Sequence, residues 1–260
     1  MTWALRRQIF YVGILLLFFS VFGFMIIYPS LNKAPTCSDG KQNGDETGVD
    51  CGGSCLRACL FEADSVSVLW SRSFEVVPGR YNAVAYLENY NKNFAIEKIK
   101  YSFRFADENN VYLGRRQGVA HIPPGRAFAI FERGVEFGNA VPVYTTFEFT
   151  EAPLWINVPD EILNQAKLVI SETDLSGEET SPRLSATVRN LSLFTIPDIA
   201  LTVILYGEDR NALSTSSTYL DELKKQESKI VNFTWPMPFG KKVIKKEILP
   251  VYNIFSVRLE

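Results

Sequence analysis

An uncharged run of 20 residues, Ile9 to Tyr28 (IFYVGILLLFFSVFGFMIIY), constrains this chain more than any other feature. At about 1.5 Å per residue a helix of that length spans about 30 Å, the thickness of a bilayer's hydrocarbon core. A helix also satisfies its own backbone groups, as lipid demands. Ser20 costs little there, because its hydroxyl bonds back to a carbonyl one turn earlier. Trp3 and Tyr11 stand near one end and Tyr28 at the other, where aromatic rings favour the interface. Arg6 and Arg7 precede the run, so the positive-inside rule places the N-terminus in the cytoplasm. The expectation is a single-pass plasma-membrane protein: residues 1–8 cytoplasmic, 9–28 in the lipid bilayer, the remainder outside. A cleaved signal peptide would carry an apolar region of about 7–15 residues and a small-x-small site. This run is longer, and Tyr28 to Lys33 (YPSLNK) holds no such site. Thr36 and Pro35 before Cys37 also fit a lipoprotein signal badly.

The charge is unevenly placed. The net charge is −2, yet Arg6, Arg7 and Lys33 stand in the first 36 residues without an acid, so the remaining chain carries −5. A mildly acidic ectodomain argues against a nucleic-acid partner, which needs a clustered basic face. The one dense basic patch, Lys241, Lys242, Lys245 and Lys246, reads as a solvated strand end. A length of 260 residues allows about two domains after the anchor.

All four cysteines, Cys37, Cys51, Cys55 and Cys59, fall in the segment between the apolar run and residue 62. An even number clustered outside a membrane anchor predicts two disulfides, with three pairings open. Zinc is the competing reading, but the C-x3-C-x3-C spacing is not a pair of C-x2-C knuckles. CSDGKQNGDETGVDCGGSCLRAC has too few apolar residues to bury a core, so covalent closure is the expected source of order. Asp39, Asn43, Asp45, Glu46 and Asp50 add oxygen-bearing side chains broken by glycines, a composition that suits Ca²⁺. The alternative is a turn-rich loop whose Asx side chains cap its own backbone.

The string C-x-D-G-x-x-N-G-D-E-T-G-V-D-C-G-G-x-C, from Cys37 to Cys55, closely resembles a short Cys/Gly/Asp motif. That motif recurs in secreted and surface-anchored proteins, many of them bacterial. The resemblance implies an extracellular setting and no particular reaction.

Beyond residue 63 the pattern turns to short alternating strands. Tyr81 to Asn89 (YNAVAYLEN) alternates with period two. Ile96 to Ala106 (IEKIKYSFRFA) sets Ile99, Tyr101, Phe103 and Phe105 on one face and Lys98, Lys100, Ser102 and Arg104 on the other. Asp107 to Asn110 is a hairpin turn, and Ala127 to Arg133 (AFAIFER) closes the set. The order then repeats. Leu184 to Asn190 corresponds to the strand ending at Asn89, Ile199 to Tyr206 to the long strand, Glu208 to Asn211 to the turn, and Ser228 to Trp235 to the closing strand. An offset of 101 residues relates Asn89 to Asn190 and Phe105 to Tyr206, and pairing Phe131 with Phe233 requires a one-residue slip. A fixed offset across several elements signals a duplicated unit. Between the copies, Pro153 and Pro159 interrupt the strands, and Asp160 to Gln165 suits one helical turn. Ser171 to Pro182 reads as a polar hairpin loop.

The two units resemble FxLYD-type modules and the related late-embryogenesis-abundant-like sandwiches of bacterial envelope proteins. The likeness lies in a strand ending in Asn, a long strand carrying Phe103 to Asp107 or Ile204 to Glu208, and an Asp/Asn-rich turn. It implies binding, spacing or assembly and transfers no catalytic set. The expected fold is mainly β: a single transmembrane helix, a disulfide-rich neck over 29–62, an immunoglobulin-like β-sandwich over 63–150, a linker over 151–165 and a second sandwich over 166–260.

No reaction is legible. His121 is the single histidine, so neither a triad nor a histidine metal cluster is available. No phosphate loop, nucleophile elbow or zincin helix occurs. Asn190-Leu191-Ser192 and Asn232-Phe233-Thr234 are glycosylation sequons. Tyr81, Tyr86, Tyr90, Tyr112 and Trp155 are candidates for an aromatic surface patch. The expected function is non-enzymatic: an ectodomain that binds or positions an envelope protein or glycan, with no cofactor other than a possible Ca²⁺ at Asp39, Asn43, Asp45 and Asp50. A spacer subunit of a larger membrane assembly is the alternative. A wall or glycan hydrolase is the third reading and would need two close, pKa-shifted carboxylates.

Overall fold

The computed structural model of the protein describes residues 3–31 and 36–259, so Lys33 lies outside the described residues. A helix, α1 (Trp3–Leu31), opens the chain. It is longer than the expected span because nothing before Ile9 breaks a helix, and it takes in Arg6 and Arg7. The Arg7 guanidinium lies 4.6 Å from the Trp3 ring, one turn away. The helix is apolar all round, long enough to cross a membrane, and its apolar stretch is not buried against the rest of the protein.

The rest is mainly β. The first module contains β1 (Ser67–Val77), β2 (Arg80–Asn89), β3 (Phe94–Ala106), β4 (Tyr112–Ile122), β5 (Arg126–Glu136), β6 (Tyr144–Phe149) and β7 (Ile156–Asn157). After a short helix, α2 (Asp160–Gln165), come β8 (Leu168–Ser176), β9 (Arg183–Asn190), β10 (Phe194–Tyr206), β11 (Ala212–Leu223), β12 (Ser228–Thr234), β13 (Lys245–Val251) and β14 (Arg258–Leu259). Every pairing is antiparallel. The order β1-β2-β5 faces β4-β3-β6, with β7 added at the start of β3. In the second module β8-β9-β12 faces β11-β10-β13, with β14 added at the start of β10. The two sandwiches therefore share one topology, strand for strand.

The duplication reaches individual hydrogen bonds. Asn89 and Asn190 are both fully buried at the ends of β2 and β9. Asn89 Nδ2 donates to the carbonyls of Phe94 (2.9 Å) and Pro123 (2.8 Å), and its Oδ1 accepts from the Asn91 amide. Asn190 Nδ2 donates to Phe194 (2.7 Å) and Leu223 (3.0 Å), and its Oδ1 accepts from the Ser192 amide. Each side chain thus ties three segments at one corner, and leaving such groups unpaired would cost several kcal/mol. The burial of Asn190 also removes it as a glycan acceptor in the folded chain, whereas Asn232 is exposed.

The expected constant offset is corrected in two places. The core of the first module uses Ile96, Ile99, Phe103 and Phe105, and that of the second uses Ile196, Ile199, Val203 and Leu205, an offset of 100. Four residues lie between Asn89 and Phe94 but three between Asn190 and Phe194, so the second turn is one residue shorter. Tyr206 therefore matches Ala106 and not Phe105, and a one-residue shift turns it to the other face of its sheet. In the closing strand Ala83 pairs with Glu132 and Leu184 with Phe233, so Phe233 takes the place of Glu132, not of Phe131. The expected loop from Ser171 also starts later: β8 continues to Ser176, and the turn begins at Gly177 (φ 66°).

The outer faces of one sheet from each module form the junction. Val84, Ala129, Ile204 and Leu249 make a buried cluster between the modules, joined by Trp70, Phe74, Phe131 and Tyr206. The β1-β2-β5 sheet thereby packs against the β11-β10-β13 sheet, and four sheets stack in one body. The segment between the modules is also tied in. Trp155 is buried in the first core and Val158 in the second. Trp155 and Tyr81, expected among exposed aromatics, are 2% and 5% exposed; the apolar core is the nearest refuge for an indole beside β3, and Tyr81 packs on Phe137. Tyr90 and Tyr112 are exposed as expected, and Tyr86 is half-buried at the junction.

Candidate functional site

The neck is built from covalent and backbone-capping bonds. Its disulfides are Cys37–Cys55 and Cys51–Cys59, so the two loops interleave. No free cysteine remains among the described residues. Gly52 and Gly53 adopt positive φ (77° and 59°), and a Cβ on Gly53 would collide with the Asp45 carbonyl, which explains glycine there. A short turn, Leu60–Glu62, ends the neck, with the Glu62 carboxylate accepting from the Cys59 amide (2.8 Å) and from the Thr47 hydroxyl (2.5 Å). The neck docks on the linker: Ala58 donates to the Trp155 carbonyl (3.1 Å) and Asn157 to that of Leu56 (2.7 Å). Asp64 and Asn91 exchange two hydrogen bonds at the same corner.

Among the described residues the carboxylates of the candidate Ca²⁺ ligands Asp39, Asp45 and Asp50 do not gather into one cluster. Asp50 accepts from the Gly40 amide through both oxygens (3.0 Å each). Asp45 accepts from the Ser54 amide (3.0 Å) and hydroxyl (2.7 Å), and the hydroxyl bond holds its carboxyl below the usual range. Asp39 accepts from the Lys41 amide (3.0 Å) and from Asn43 Nδ2 (2.9 Å), so these two of the four candidates are brought together. Glu46 accepts from the Asn43 amide (3.2 Å) and lies near the Cys37–Cys55 sulfurs, which are consumed by their disulfide. The geometry is that of Asx and Glu side chains capping a tight loop. Asn43 Oδ1 is the one buried neck oxygen lacking a partner among the described residues.

The junction holds the most heavily shared carboxylate. Glu247 accepts from Tyr86 (3.2 Å) in the first module and from Tyr206 (2.8 Å) in the second, while Lys245 lies 3.3 Å away and over the Tyr206 ring. Burial, reinforced by Glu247, pushes the Tyr86 hydroxyl up to about 12 and raises Tyr206 as well. Trp70 stacks on Tyr86 with centroids 5.5 Å apart. No sequence signal marks this role of Glu247, because the register of β13 on β10 decides it.

Beside the junction runs a groove of about 410 Å³, bordered by Tyr101, His121, Arg133, Asp198, Ser217 and Tyr219 among others. Its polar groups bond one another or residues just outside it. Tyr219 donates to Asp198, which pushes its own hydroxyl up to about 12. Tyr101 donates to Glu132 (2.8 Å), Arg133 to Ser217 (3.4 Å), and His121 Nδ1 contacts the Glu97 carbonyl. Asp198 stands in the left-handed region (φ 54°) within β10. Asp45, Glu151 and Asp209 all hold their carboxyls below the usual range, the last two chiefly through backbone amides at Lys100 and Asn211. That is the reverse of what a general acid requires. The arrangement can hold and orient groups at its surface.

No family model and no curated protein matches the chain. Solved structures give distant likenesses. Red sea bream transglutaminase aligns at 11% identity over 72% of this chain and 31% of its own length, with a TM-score of 0.25. Bacteroides uniformis β-glucuronidase aligns at 15% identity over 68% of this chain and 26% of its own, with a TM-score of 0.20. A tandem CBM22 pair of Paenibacillus barcinonensis aligns at 8% identity over 78% of this chain and 90% of its own, with a TM-score of 0.17. This chain thus spans about a third of the first of these proteins, and likenesses of this size carry no argument about activity.

Proposed function

We propose that this chain is a non-enzymatic, single-pass plasma-membrane protein, N-terminus cytoplasmic, whose ectodomain binds or positions an envelope protein or glycan. On this reading α1 is a retained anchor oriented by Arg6 and Arg7, and the two modules are immunoglobulin-like units akin to FxLYD-type sandwiches. The observation that carries it is the stack of four sheets, closed at the junction by Tyr86, Tyr206 and Glu247. A body so coupled holds a surface at a fixed distance and orientation from its anchor, which suits presentation to a partner.

Two further features support the setting. The interleaved disulfides suit an oxidising compartment. Four residues stand between Leu31 and Thr36 in the sequence, so Thr36 lies within about 19 Å of the end of α1. The exposed Leu56, Leu60 and Phe61 of the neck suit a lipid interface.

The test is chemical cross-linking of the full chain in its native membrane, followed by identification of adducts to the ectodomain. A reproducible envelope adduct lost on substitution of ectodomain surface residues supports the reading. Adducts confined to α1 would favour a spacer held through its helix.

A further inference from the structure

The sheet that module two buries at the junction has a free counterpart in module one, the outer face of β4-β3-β6. Side chains there stand in cross-strand rows. Tyr112 and Tyr144 flank Ala106; Arg115 and Thr146 flank Arg104; Gln117 and Glu148 flank Ser102. The first two rows are set by a bulge between Phe105 and Ala106 in the β3–β4 pairing, which brings Arg115 directly opposite Arg104. Like charges directly opposed destabilise a sheet. Neither arginine forms an ion pair among the described residues; Arg104 lies 5.9 Å from the Tyr112 ring.

The rows enclose a shallow trough. One hollow of about 290 Å³ is bordered by Arg104, Arg115, Gln117 and Glu148. A second of about 220 Å³ shares Arg104 and Tyr112 and ends at Asn110 and Tyr144. Successive rows on one face lie about 6.7 Å apart, so the trough suits an extended polymer crossing several rows. Tyr112 and Tyr144 are 55% and 48% exposed, and their rings offer flat apolar surfaces at one end. Gln117 and Thr146 offer neutral donors and acceptors, and two guanidiniums against one carboxylate make the centre cationic on an otherwise acidic ectodomain.

We propose that this trough binds an acidic polysaccharide: a sugar chain bearing carboxylate or phosphodiester groups, with its anion held between Arg104 and Arg115 and its rings on Tyr112 and Tyr144. Bound anion relieves the opposition of the two arginines, which gives the unpaired cations a physical reason. Two cations are too few for the dense phosphate tracking of a nucleic acid. The inference rests on the proposal that the ectodomain recognises an envelope partner, and narrows it to one face and one chemistry.

The full chain in nanodiscs is titrated by calorimetry with polygalacturonate, phosphomannan (a mannan bearing phosphodiesters) and neutral dextran, alongside the double variant Arg104→Gln, Arg115→Gln. Expected is binding of at least one acidic polymer, weakened by salt, no binding of dextran, and at least a tenfold loss in the double variant. Binding of polygalacturonate alone marks a carboxylate ligand, and of phosphomannan alone a phosphodiester one. The double variant should melt no lower than the parent, since it removes a repulsion, so lost binding cannot be ascribed to unfolding. Failure to bind either acidic polymer, equal affinity for dextran, or binding unchanged in the double variant overturns the inference. Envelope adducts that persist in the double variant then leave the broader reading standing, whereas their absence in the parent chain removes it too.

Discussion

The two modules share a topology and a buried asparagine corner, yet they use the same face in opposite ways. In module two the outer face of the β11-β10-β13 sheet presents Ile204 and Leu249 and is buried against module one. In module one the matching positions hold Arg104 and Glu148, and both are exposed. One topology thus supports an internal interface in one copy and a charged outer surface in the other. The difference lies in a handful of side chains, because a strand hands alternate residues to each face while its core-facing set stays fixed.

An exchange across this comparison should give the largest effect. Ile204→Arg places a charge in the closed junction and should cost about 3–5 kcal/mol in urea unfolding, with new protease cleavage between the modules. A loss under 1 kcal/mol would show that the junction is not closed in solution. The asparagine corners come next. Asn89→Ala and Asn190→Ala should each cost about 2–4 kcal/mol, by similar amounts, as each strips several buried hydrogen bonds. A large cost at one site and none at the other would break the energetic likeness of the copies.

Alkali gives a smaller and graded effect. Tyr86 and Tyr206 ionise at higher pH when folded than when unfolded, Tyr86 at about 12. The native state therefore holds these protons more tightly, so the stabilisation is complete below about pH 10 and fades as pH rises toward about 12. The double variant Tyr86→Phe, Tyr206→Phe should flatten that part of the stability profile, measured by denaturant melts across pH 9–12. An unchanged profile would assign the alkaline loss elsewhere. The smallest effect is expected for Arg104→Ile, within about 0.5 kcal/mol of the parent, since the side chain is exposed and its removal relieves Arg115. A marked destabilisation would mean that the outer face is less free than its geometry indicates.

Much of the architecture was legible because it rests on short-range patterns. The apolar run, the clustered cysteines, the alternation through Ile99, Tyr101, Phe103 and Phe105, and the turns at Asp107 to Asn110 and Glu208 to Asn211 all appear where expected. The repeat was visible, but its offset was misplaced in the long strand. An aromatic-to-aromatic match between Phe105 and Tyr206 outweighed the core parity that sets the true correspondence. Trp155 was misread because a residue beside Pro153 looks like linker until the β7 pairing shows which core lies beneath it.

By itself the sequence determined the local elements: an apolar helix, a cross-linked neck and two sets of strands, since propensity, periodicity and turn chemistry act within a few residues. The tertiary structure alone decided the disulfide pairing, the junction around Glu247 and the opposition of Arg104 and Arg115. Each of these depends on which distant backbones meet and in what register. Register is a property of two strands together, so no single stretch of sequence states it.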